Sequence, residues 1–262
     1  MPSFSVKSSQ GLTTKNIAGN FFSPGLYTPF FSAKGSNNII QRQPAQKIPP
    51  KPNLTSLSAK DPASSKSHPS LINAALANSS YAKYIVSKLS GTGAIDAKGK
   101  FVIEMSAQNF VNAYNKCYGT NVTTLTGTEG FYCPATQEIH LIPNAEFGMA
   151  FHESVHKVSA LPRAISYGAW VNEASFAFDL NEGLTSHYAK EILDNDYGIS
   201  NYIDGYATQR KKAEGLIQTF GKDEIAGFYF NYKVQGILSK DEMNKHGSNI
   251  GKFLVSKLKG AW

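Results

Sequence analysis

Nine of the twelve prolines fall within the first seventy residues, and that bias divides the chain into two kinds of polymer. Proline removes a backbone donor and fixes φ, so a stretch such as QRQPAQKIPPK (41–51) cannot build helix or sheet ladders. Charge follows the same division. Residues 1–70 hold eight basic residues against one acid, Asp61, whereas residues 71–262 hold 18 of each sign. The net charge of +7 therefore belongs to the first quarter. A polar segment of one-sided charge buries too little to offset its ordering entropy. Residues 1–70 are expected to form a disordered Pro/Ser/Lys-rich leader, and 71–262 the folded domain. Lys7 is the only basic residue among the first ten and no apolar run of ~7–15 residues follows, so a Sec signal peptide is not expected. No window reaches the ~18 uninterrupted apolar residues of a membrane span. The pI near 9.2 raises nucleic acid as a partner, but the balanced second part has no basic stripe, which argues against it.

Two apolar patches interrupt the leader: FFSPGLYTPFF (21–31) and IIQRQP (39–44). Aromatic clusters are rare in solvated linkers and suggest a short recognition segment. The double-Phe patch, the PFF and the IQRQ-like run resemble the N-termini of effectors carried by extracellular contractile injection systems, the phage-tail-like particles of bacteria. The resemblance covers about residues 20–45. It implies a cargo made in a bacterial cytoplasm, loaded onto particle components through residues 1–70 and delivered outside the producing cell without a Sec signal.

From Leu71 the chain reads as one mostly helical α+β domain. Apolar residues at helical spacing over Leu71–Leu89, with Ser70 as N-cap and Gly91 past the end, predict a first helix. Phe101–Met105 is a β-type run and Ser106–Tyr118 a helix. Asn121–Leu125 and Glu138–Ile142, joined by a Gly-containing turn, predict a hairpin or two edge strands. Helices are expected from Asn144 to about Ala160 and from about Asn181 to Asp194. Three or four more follow to Trp262, with Gly221, Gly227, Gly236 and Gly247 as breaks. Cys117 and Cys133 are the only cysteines. They are either a disulfide clipping helix to hairpin or two reduced thiols, and folding in a bacterial cytosol favours the thiols.

The chemistry concentrates in MAFHESVHKV (149–158), which contains His152-Glu153-Ser154-Val155-His156, an H-E-x-x-H pattern. Residues i and i+4 of a helix lie one above the other, ~5–6 Å apart at Cβ. Two imidazoles so placed can bond one metal at ~2.0–2.1 Å. Glu153, about 100° round the helix, reaches the metal's water rather than the metal. Such a pattern also arises by accident, as a solvated histidine pair. The apolar context of Ala150, Phe151, Val155 and Val158, the β-type run ahead of it and a carboxylate beyond it favour a zinc site. A metzincin continuation is excluded, because Ser159 and Pro162 stand where glycine and histidine are required.

Catalytic zinc takes three protein ligands and keeps a position for water. Glu182, in DLNEGLTSHYA (179–189), is the preferred third ligand, with Asn181 capping its helix and Glu182 in the first turn. Glu173, in VNEA (171–174), is the rival. Residues 138–189 resemble the gluzincin branch of zinc metallopeptidases, in which a strand precedes H-E-x-x-H and an N-E-x-x-S/T helix supplies a glutamate. The resemblance implies a zincin-like metallopeptidase domain with Zn2+ on His152, His156 and Glu182 and with Glu153 as general base. Thermolysin-like members place an Asp where this chain has Ser186, so the contact orienting the first histidine must differ. A donor for the developing oxyanion is also needed. His187, Tyr188, Tyr202 and Tyr206 are candidates, and Tyr206 best fits the family's position at the start of the following helix. The expected activity is hydrolysis of protein or peptide substrates by a toxin-type endopeptidase. The alternatives are an inactive peptidase fold that binds a partner, or a structural cargo or adaptor of the particle.

Overall fold

A computed structural model describes residues 50–54, 56–63, 68–90, 101–165, 168–200 and 205–262. The aromatic patches of the leader, Gly91 and Tyr202 lie outside these residues. The domain is mostly helical around one small sheet. Helices α1 (His68–Ala77) and α2 (Ala82–Ser90) come first, then strand β1 (Phe101–Ile103) and helix α3 (Ala107–Tyr118). Strands β2 (Gly130–Cys133) and β3 (Glu138–Leu141) lead into helix α4 (Phe147–Val158). After the short α5 (Leu161–Ala164) and a 3-10 segment (Gly168–Glu173), the long α6 (Ala174–Glu191) runs on through a π turn (Ile192–Asp196). Helices α7 (Ala207–Phe220), α8 (Lys222–Asn231), α9 (Lys240–His246) and α10 (Ile250–Ala261) complete the fold. Among the described residues no helix is long and apolar enough to cross a membrane.

The sheet order is β1-β3-β2, with β3 central. β1 runs parallel to β3 in the register Val102↔His140. β2 runs antiparallel to it, with Tyr132 opposite Ile139. Alternation along the strands sends Tyr132, Ile139 and Leu141 into the main core with Phe147 and Phe151 of α4. Phe131 and Cys133 go to the other face, where Phe110 of α3 closes a second, smaller core. All four β2 residues are therefore buried. Gly130 lets α4 come close, since a Cβ there would lie 2.7 Å from Leu141 Cδ2 and 3.3 Å from Glu153 Cγ.

Several expectations are corrected. The predicted first helix is two helices, broken at residues 78–81. The strand antiparallel to β3 is Gly130–Cys133, not Asn121–Leu125. Cys117 and Cys133 are joined as a disulfide, tying the end of α3 to β2. Gly227 lies inside α8, whereas Gly221 and Gly247 do mark junctions. The folded unit also starts before residue 71. Leu54, Ala59 and Ala63 are buried in the main core. The first amides of α4 have no side-chain cap. They donate to this segment instead: Phe147 N–H to Asp61 O at 2.6 Å and Gly148 N–H to Ala59 O at 2.8 Å. These are orphan donors that every helix start must satisfy.

Candidate metal centre

Helix α4 crosses the inner face of the sheet and α6 packs against α4, so the two carry their polar residues into a shared interior. His152, Glu153, His156 and Glu182 are all buried. Unpaired ionisable groups do not survive in such a place, and these converge. His152 Nε2 and His156 Nε2 lie 3.1 Å apart, and each is 3.2 Å from Glu182 Oε2. Among the described residues this is the one group of His, Cys, Asp or Glu side chains with metal-ligating geometry. Three ligand atoms on ~2.0–2.1 Å bonds at tetrahedral angles lie about 3.3 Å apart. The observed triangle fits that spacing, and its N, N, O donor set is one that zinc accepts.

The electrostatics point the same way. Burial opposes charge on Glu182, but the His156 and His152 imidazoles beside it pull its pKa to about 2. Burial also works against a charged His156, and the Glu182 carboxylate outweighs it, so that its pKa is raised. The carboxylate thus demands a positive charge between the two rings, which a proton or a metal cation can supply.

Helix α6 also orients the second histidine. Thr185 Oγ1 donates to Asn181 O at 2.7 Å, one turn back. Its single proton being spent, the oxygen accepts from Tyr229 O–H at 2.6 Å and from His156 Nδ1–H at 3.0 Å. A protonated Nδ1 leaves the Nε2 lone pair facing the centre, the tautomer a metal requires. The Asn181 amide lies 3.2 Å from the same Nδ1. Asn181 is therefore not a helix cap. α6 begins at Ala174, and Glu182 sits in its middle. The Ser186 hydroxyl is buried with no partner among the described residues, so it does not act as an orienting contact to His152.

Glu153 points to the sheet side of the centre. The Tyr132 backbone N–H donates to its carboxylate, yet burial dominates and holds its pKa above the usual carboxylate range. A base that is less acidic than an ordinary carboxylate is better matched to proton transfer near neutral pH. The Tyr132 carbonyl accepts from Tyr118 O–H at 2.7 Å.

The other predicted residues separate. Tyr206, at the N-terminus of α7, lays its ring on His152 with centroids 5.8 Å apart and planes 20° from parallel. Glu173 stands at the start of α6 and pairs with Lys259 Nζ at 2.8 Å, away from the triangle. His187 bonds Glu191 at 3.1 Å. Tyr188 is fully buried in an aromatic core with Tyr81, Tyr229 and Phe230. Sequence reasoning misses Tyr132, Thr185 as a histidine partner, and Tyr229. Thr185 was within reach of it, because i+3 from Glu182 stays on the same helix face.

Comparison with known proteins matches no family model, no curated relative and no solved structure.

Proposed function

We propose that this chain is a zinc-dependent endopeptidase of the gluzincin type with a zincin-like fold. The convergence of His152, His156 and Glu182 on one point, with Glu153 beside them, is the observation that carries the reading. His152, His156 and Glu182 would hold the ion. Bound zinc supplies Lewis acidity, bringing a water's pKa toward ~7 and polarising a scissile carbonyl. Glu153 accepts the proton of the attacking water and delivers it to the leaving amine nitrogen. Tyr132 N–H keeps the Glu153 carboxylate aimed, and Tyr206, whose ring lies against His152, would donate its hydroxyl to the developing oxyanion. The likeness of residues 20–45 to injection-system cargo supports delivery as a toxin-type effector, loaded through the part of the leader that precedes Leu54.

The test is zinc stoichiometry and peptide hydrolysis, measured side by side on wild type and Glu153→Gln. Wild type should hold one zinc and cleave. Glu153→Gln should hold zinc and lose about 10²–10⁴ in rate. Metal without cleavage in wild type would favour a partner-binding peptidase fold, and no metal at all would favour a structural cargo.

A further inference from the structure

Three large apolar side chains stand exposed among the described residues: Met105, Val171 and Phe178, the last with 49% of its surface open. Phe178 is the one whose ring packs onto the metal centre's surroundings. It precedes Glu182 by four residues on α6, so both project from the same side of the helix. Its ring meets Tyr206 edge-on, with centroids 6.2 Å apart and planes at 73°. Tyr206 in turn stacks on His152. The three rings make one continuous aromatic surface that begins at a ligand of the triangle and ends in solvent. The acid next to Phe178, Asp179, accepts a hydrogen bond from Gln209 Nε2 at 3.2 Å and so is engaged with α7. An exposed aromatic of this kind costs free energy in water and is repaid when an apolar group covers it.

We propose that Phe178 and Tyr206 form the recognition shelf for one apolar or aromatic side chain of the peptide, next to the bond that is cut. This rests on the peptidase reading for the word "cut", but not for the binding preference. Phe178 sets specificity and takes no part in proton transfer.

The experiment uses the full-length chain and a set of peptides identical except for one residue, varied among Phe, Leu, Ser and Lys at each position in turn. Binding is measured by calorimetry on the zinc-loaded and the chelated Glu153→Gln protein, and cleavage on wild type. One position should prefer Phe or Leu over Ser by roughly tenfold or more, the range that apolar pockets achieve. Adding Phe178→Ala should remove about that factor for the Phe peptide and leave the Ser peptide unchanged. In the cleaving enzyme the loss should fall on KM, with kcat nearly constant. Val171→Ala, an equally conservative loss of exposed apolar surface, should leave the ratio unmoved and serves as the control. A parent that binds Phe and Ser peptides equally at every position overturns the shelf, as does a Phe178→Ala protein with the parent's preference. A parent that binds selectively but never cleaves overturns the peptidase reading alone.

Discussion

Gly183 lies directly beneath the backbone of Gln209: a Cβ built on it would come within 2.5 Å of the Gln209 carbonyl oxygen and 2.8 Å of Trp262 Cη2. The residue after the proposed ligand Glu182 is thus a point of close backbone approach between α6 and α7. Alanine there would gain about 1 kcal/mol of helix propensity. It would also force backbone against backbone, and overpacking of a tight contact costs ~1–3 kcal/mol. Gly183→Ala is therefore expected to lower the urea midpoint. Because Tyr206 is the N-cap residue of α7, the same shift should disturb the Tyr206–His152 stack. A variant as stable as wild type would show that α7 yields freely.

Metal should stabilise the fold through the three proposed ligands. At a hundredfold excess over Kd, binding to the native state adds about 2.7 kcal/mol. A zinc-dependent rise in Tm is expected for wild type and for Glu173→Gln, whose carboxylate pairs with Lys259. It should vanish in His152→Ala and Glu182→Gln. Loss of the response in Glu173→Gln would reassign the third ligand.

Thr185 tests the orienting contact. Thr185→Val preserves shape but removes the acceptor for His156 Nδ1–H and for Tyr229 O–H. Loss of such a supporting partner typically weakens metal affinity 10–100-fold. Competition with a chelating dye reads this directly, and unchanged affinity would mean that the Thr185 contact does not set the ring's tautomer.

Acid stability should depend on Glu191. Partial burial works against its charge, but His187, Lys222 and Tyr81 outweigh it and hold its pKa at about 2. A carboxylate depressed in the folded state contributes stability above its unfolded value of ~4.3 and loses it as pH falls toward the folded value. Wild type should thus be more stable than Glu191→Gln at pH 6, with the gap closing between about pH 4.5 and 2. A gap independent of pH would mean that the ion pairs are not the source.

The disulfide between Cys117 and Cys133 closes a loop of sixteen residues. The chain-entropy account assigns about 3 kcal/mol to a loop of that length. Cys117→Ser with Cys133→Ser, or reduction by dithiothreitol, should lower the denaturant midpoint accordingly and loosen β2. Coincident unfolding curves with and without reductant would contradict this.

The H-E-x-x-H helix was legible because helical periodicity alone brings His152 and His156 to one face. Glu182 was legible as a residue but not in its setting. Nothing in the stretch ASFAFDL (174–180) signals that the helix starts seven residues before Asn181, because Glu173 precedes it without a side-chain cap. β2 escaped for a different reason. Its residues Gly130 to Cys133 are covered on both faces, so the strand lacks the alternation that marks a half-buried one. The segment around residues 54–63 reads as leader from its composition, because the bonds it makes to α4 come from the carbonyls of Ala59 and Asp61. Main-chain groups leave no trace in composition. The pairing of Cys117 with Cys133 is not legible either, because the sequence offers a compartment argument and no geometry.

Tyr132 occupies an outer strand of the sheet, yet both of its main-chain groups are taken from the side, the amide by Glu153 and the carbonyl by Tyr118. Outer strands invite further strands to zip onto them. At this residue the invitation is withdrawn by the very side chain proposed to do the chemistry, so any extended chain that pairs with β2 must do so beyond Tyr132. A visitor that did pair there would have to pull the amide away from Glu153 and leave that carboxylate free to swing. Fibre-forming association along this edge and correct aim of the base are therefore mutually exclusive states of one hydrogen bond.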